Sequence, residues 1–112
     1  MKLLPAISLI TAITIVSGCA PSQQQFEVAR EAIRGSSKAQ QAAMQECLSK
    51  GWNSKSRKAA AIVLDTTEKL APRVACTRFI NAMKSGRLQY ADAAAFKQGR
   101  PTPEMIKILQ GR

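Results

Sequence analysis

The chain contains no histidine. That absence removes the usual general base, the commonest nitrogen ligand for metals and the simplest switch near neutral pH. Aromatic side chains are almost as scarce. Phe26, Trp52, Phe79, Tyr90 and Phe96 are all there are among 112 residues, which leaves little to stack on nucleic-acid bases and implies a thin core. Acids are few as well: Glu27, Glu31, Glu46, Asp65, Glu68, Asp92 and Glu104 face 17 Lys and Arg. With no histidine to pair with a serine or cysteine nucleophile, no catalytic set emerges, and the chain reads as a non-enzyme without a cofactor. No stretch alternates as a strand does, no apolar run reaches the roughly 20 residues of a membrane-spanning helix, and no internal repeat is evident.

What is present begins at the amino terminus. Met1-Lys2 is followed by Leu3 to Val16, apolar except for Ser8, Thr11 and Thr14, and then by Ser17-Gly18-Cys19. A short positive end, an apolar stretch and a small-residue boundary are the parts of a secretory signal peptide. Val16-Ser17-Gly18-Cys19 resembles the lipobox of bacterial lipoproteins, in which an aliphatic residue and two small ones precede an obligatory cysteine. That resemblance covers this segment alone. It implies cleavage between Gly18 and Cys19, a diacylglyceryl group on the Cys19 thiol and acylation of the new amino terminus. Several acyl chains give lasting attachment where one holds only marginally. Ala20 stands where aspartate would imply retention in the inner membrane, so the resemblance implies the periplasmic face of the outer membrane. The expected organisation is a signal peptide over 1–18, a lipidated tether over 19–25 and a helical domain over 26–112.

The body is rich in alanine, glutamine, lysine and leucine, which predicts an all-α fold: a small bundle of four to five short helices. In the first, Phe26, Ala29 and Ile33 fall on one face and Arg30 and Arg34 on another. Ser37 with Gln40 reads as a capping box for the second, whose Met44, Cys47 and Leu48 share a face. Gly51 stops it, and Asn53-Ser54 turns into a third helix, which Pro72 ends or kinks. The clearest pattern is Cys76, Phe79, Ile80 and Met83, spaced i, i+3, i+4 and i+7 on a fourth helix closed by Ser85-Gly86. Tyr90 to Lys97 reads as a short helix. Thr102-Pro103-Glu104 supplies an N-cap, a first-turn proline and an acid at the positive end of a last one, packed by Met105, Ile106 and Leu109.

Cys47 and Cys76 remain once Cys19 is lipidated. An oxidising periplasm favours a disulfide between them, although both lie on apolar faces where buried free thiols are also at home. Closing a loop of about thirty residues contributes roughly 3 to 4 kcal/mol, much of a small domain's stability. The bridge is geometrically demanding. A third helix of about sixteen residues would span about 24 Å, whereas bridged Cα atoms lie within about 7 Å, so that helix must cross steeply or bend, and Asp65-Thr66-Thr67-Glu68 offers the place. Two thiolates without histidine fall short of a metal site, and the spacing is unlike that of a redox pair.

The net charge of +10 gathers in clusters. Lys55, Arg57 and Lys58 stand at a helix start, where positive charge is unfavourable, which makes them the candidate patch for an anionic partner. Nucleic acid suits the charge but not the address. Two functions fit the tethered body: a structural or protein-interaction role in an envelope assembly, or binding of an anionic envelope component such as lipid headgroups or an acidic polymer. Trp52, beside the Gly51 turn, suits either a core plug or an exposed anchor.

Overall fold

The computed structural model describes residues 22–112. The expected signal peptide, the expected Gly18–Cys19 cleavage junction and the expected lipidation site Cys19 lie outside the described residues. Within them are six helices and no strand: α1 (Gln23–Gly35), α2 (Ser37–Ser49), α3 (Ser54–Leu64), α4 (Ala71–Ser85), α5 (Tyr90–Lys97) and α6 (Pro103–Leu109). The fold is all-α, as the composition requires, and the two short carboxy-terminal helices bring the number to six.

α1 starts earlier than its apolar face suggests. The Ser22 hydroxyl accepts from the Gln25 backbone N–H and the Gln25 side chain accepts from Ser22 N–H, a complete capping box. Residues 22–25, expected as tether, are thus the cap and first turn of a helix, because Ser-x-x-Gln satisfies two otherwise orphaned donors. The next cap is also one residue off expectation. Ser36, not Ser37, caps α2 by accepting from Ala39 N–H, and Gln40 instead reaches back to donate to the Ile33 carbonyl, stitching α2 to α1.

α4 is the central element, packed against α1, α2, α3 and α6, while α5 lies on α6. Its predicted stripe is the core: Cys76 is fully buried, Ile80 and Met83 nearly so, and Phe79 packs against them. Phe26 and Ile33 of α1, Leu88 of the following turn, and Met105 and Ile108 of α6 complete the cluster. Ile108 occupies the inward place expected of Ile106, since 105, 108 and 109 form the i, i+3, i+4 stripe. Gly86 ends α4 in the left-handed region (φ +81°), where a side chain would strain the backbone; a Cβ there would come within 2.9 Å of an Arg34 Nη atom and push the guanidinium aside. Thr102 caps α6 as predicted, accepting from Met105 N–H at 3.1 Å and donating to Asp92 Oδ1 at 2.7 Å.

Cys47 and Cys76 are bridged, with Cα atoms 5.9 Å apart. The long third helix does not exist. α3 is 11 residues long and stops where Asp65 turns left-handed (φ 52°, ψ 55°), the one non-glycine residue in that region among those described. Aspartate tolerates this conformation better than most residues. Residues 65–70 turn the chain, Thr67 accepts from Leu70 N–H, and Pro72 opens α4 instead of ending α3. A helix of 11 residues spans only about 16 Å. The chain can therefore go out along α3 and return along α4 in time for Cys76, in the second turn of α4, to meet Cys47 near the end of α2.

Candidate functional site

The predicted site residues separate into three groups. Cys19 and Gly18 lie outside the described residues. Cys47, half-buried, and Cys76, fully buried, form a structural bridge at the α2–α4 contact. Lys55, Arg57 and Lys58 stand on the first turns of α3, all exposed, and no ion pair involves them among the described residues. The first turn of α3 carries no acid. Its N-cap, Asn53, accepts from Ser56 N–H and so satisfies one end donor without adding negative charge. Three cations therefore crowd the positive end of a helix dipole with no first-turn acid and no ion pair among the described residues to offset them.

Other basic residues are committed inward. Arg30, expected on the polar face of α1, is 7% exposed. Its position four residues after Phe26 and three before Ile33 puts it on the apolar stripe, and its stem is long enough to lie there. The guanidinium sits 4.8 Å from the Phe26 ring centroid, donates to the Leu88 carbonyl and pairs with Glu27 at 3.1 Å. Phe26 in turn meets Tyr90 edge-on at 5.9 Å. Arg34 donates to the Lys84 carbonyl at 2.7 Å, near the end of α4. Arg78 donates to the Leu109 carbonyl at 2.6 Å, at the end of α6. Each supplies a donor to carbonyls that a helix end or turn leaves without a partner.

The feature that sequence reasoning missed is an apolar groove in two lobes, each about 370 Å3. The first lies between α1, α4 and α5, lined by Phe26, Ala29, Met83, Tyr90, Ala93 and Lys97 among others. The second lies between α3, α4 and α6, with Trp52, Ala59, Val63, Ala75, Ile106 and Leu109 on its walls. Phe79 and Phe96 belong to both and form the ridge between them. All five aromatic residues of the chain therefore line one or both of these adjoining lobes. Phe96 is 46% exposed there, and among the described residues Lys97 and Lys50 are the only charged ones on the groove walls. Trp52 is half-buried and donates its indole N–H to the Cys47 carbonyl at 2.9 Å, so it serves as a wall that also caps α2. Each lobe falls in the size range of ligand pockets, about 300 to 1,000 Å3, but its chemistry is nearly all hydrocarbon. It suits an apolar side chain or acyl chain. The one available signal was the paucity of aromatics itself, but nothing in their spacing shows that five residues from four segments converge.

Among the described residues no three His, Cys, Asp or Glu side chains gather as a metal site, and no helix is long and apolar enough to cross a membrane. The fold and groove define a small, disulfide-stapled helical module with an apolar groove and a separate cationic patch. No known protein family, characterised protein or solved structure matches the chain.

Proposed function

We propose that this chain is a small lipoprotein held by lipid on Cys19 at the periplasmic face of the outer membrane, where its helical body is a structural or protein-interaction part of an envelope assembly. The lipobox-like Val16-Ser17-Gly18-Cys19 supports the address. The observation that carries the interaction role is the gathering of every aromatic side chain along one partly open groove, with Phe96 46% exposed. Binding hot spots are concentrated in such aromatic-walled apolar pockets. The α3 edge of the second lobe extends the apolar surface, since Ile62 is 82% and Val63 36% exposed.

The test is a photo-crosslinking residue in place of Ile62 in the membrane-anchored protein. The expected result is one discrete protein adduct that survives high salt and disappears with Val63→Asp. Adducts that vanish with added salt and ignore Val63→Asp count against the assembly role. They would favour the second reading, a module for an anionic envelope component, whose support is the unpaired cluster Lys55, Arg57 and Lys58.

A further inference from the structure

The two lobes of the groove are alike in size and chemistry but differ in their distance along the chain from Cys19. Ser22, the N-cap of α1, lies three residues beyond Cys19, a span of at most about 11 Å. Gln25, Phe26 and Ala29, from the first two turns of α1, form one wall of the first lobe, and Phe26 lies only about 6 Å along the helix from its cap. The headgroup layer of a bilayer is about 5 to 8 Å deep on each side. A lipid on Cys19 therefore keeps the start of α1 within about 6 Å of the headgroup surface at most, and the first lobe is the part of the described body closest to the anchor along the chain. Its far wall ends in Phe96, half exposed, and Lys97, exposed, an aromatic beside a cation. That pairing suits the boundary between acyl chains and anionic headgroups, with the lysine ammonium at phosphate level and the ring below it. The second lobe is built mainly from α3, α4 and α6, with Cys47 of α2, the Gly51-Trp52 turn and the shared Phe96 of α5, and no residue of α1 lies on its walls.

We propose that the α1–α4–α5 lobe is the membrane-contact face of the protein, taking phospholipid acyl chains of the bilayer between Phe26 and Phe96 with Lys97 against their phosphates. This placement rests on the lipidation of Cys19. The body is then held at two points, by its covalent lipid and by this lobe, and the α3 side of the groove is left to a partner. The positive charge of the body favours anionic lipid at the contact.

The experiment uses the mature lipidated protein in vesicles of phosphatidylethanolamine and phosphatidylglycerol brominated on their acyl chains. Trp52 is the only tryptophan and reports on the second lobe. A Trp52→Phe, Phe96→Trp variant, with circular dichroism to verify its helix content, moves the reporter to the ridge beside Lys97. The expected result is bromolipid quenching of the Phe96→Trp indole severalfold stronger than that of native Trp52, weakened when Lys97→Glu is added. Fatty-acid labelling of Cys19 is measured on the same preparations. A labelled protein whose Phe96→Trp indole is untouched by bromolipid and open to acrylamide overturns the proposal while sparing the anchor, and leaves the lobe to a protein ligand. An unlabelled Cys19 overturns both.

Discussion

The seam between α1 and α4 and the first turns of α3 carry the same charge and use it in opposite ways. At the seam, Arg30 and Arg34 donate to the carbonyls of Leu88 and Lys84, and each also pairs with a glutamate three residues earlier in α1. At the start of α3, Lys55, Arg57 and Lys58 make no ion pair among the described residues, and the first turn carries no acid. A formal charge of +10 is therefore not one property of the surface. Part of it holds the helices together, and part is free to act outward. The difference teaches where to look for a ligand: cations already satisfied by carbonyls are poor candidates, and cations whose local position is unfavourable are better ones.

The largest effect that sharpens this contrast comes from the Cys47–Cys76 bridge, which joins α2 to α4 whether or not the arginines do. Replacing both cysteines by serine is expected to cost roughly 3 to 4 kcal/mol, from the loop closed by a separation of 29 residues. Urea unfolding of the two proteins measures it. In the serine background the seam must hold α1 and α2 to α4 without the staple, so a further loss at Arg30 is expected to abolish cooperative unfolding, while changes at Lys55, Arg57 and Lys58 leave it intact.

Next in size is Arg30→Ala. It strands the buried Leu88 carbonyl, uncovers the Phe26 ring and leaves a cavity where the stem lay, for an expected loss of about 3 kcal/mol. Arg30→Met restores the stem without the donor and should recover about half of that loss. The Arg30 Nε–H has no hydrogen-bond partner among the described residues, which is why an apolar stem is expected to be tolerated so well. Equal losses for alanine and methionine would mean that the donated hydrogen bond carries the whole effect and packing none. Arg78→Ala follows, at about 1 to 2 kcal/mol, because it removes the bond to the Leu109 carbonyl from a side chain only partly buried.

How much of this was legible in the sequence depends on whether the signal was local. α5 was read to the residue and α6 from Thr102-Pro103-Glu104, because caps and prolines act within one turn. The α4 stripe was equally plain, since four apolar residues at helical spacing have no competing reading. The start of α1 was readable in Ser22-x-x-Gln25 but was masked by the run of glutamines, which resembles a linker. The break at Asp65 was weaker, because Ala, Thr and Leu on both sides continue a helical pattern and only the left-handed backbone of one residue ends it. The charge of Arg30 points to the polar face, but its spacing from Phe26 and Ile33 puts it on the apolar stripe. The groove had no local signal at all: its ridge needs Phe79 from α4 and Phe96 from α5, and only the packed chain brings them together.

The smallest effect on stability is expected where the effect on binding is greatest. Replacing Lys55, Arg57 and Lys58 by glutamine removes three positive charges from the positive end of α3, with Lys55 and Lys58 one turn apart on the same helix. None of the three donates a hydrogen bond to the rest of the fold among the described residues, so nothing is lost in exchange. The melting temperature should stay the same or rise by at most about 2 °C, the opposite sign to both arginine substitutions. Binding to phosphatidylglycerol vesicles or to an acidic polymer should weaken, and the remaining binding should depend less steeply on salt. A cluster variant that melts well below the parent would show that these cations have an internal partner after all, and the division between inward and outward charge would fail at the residues chosen to define it.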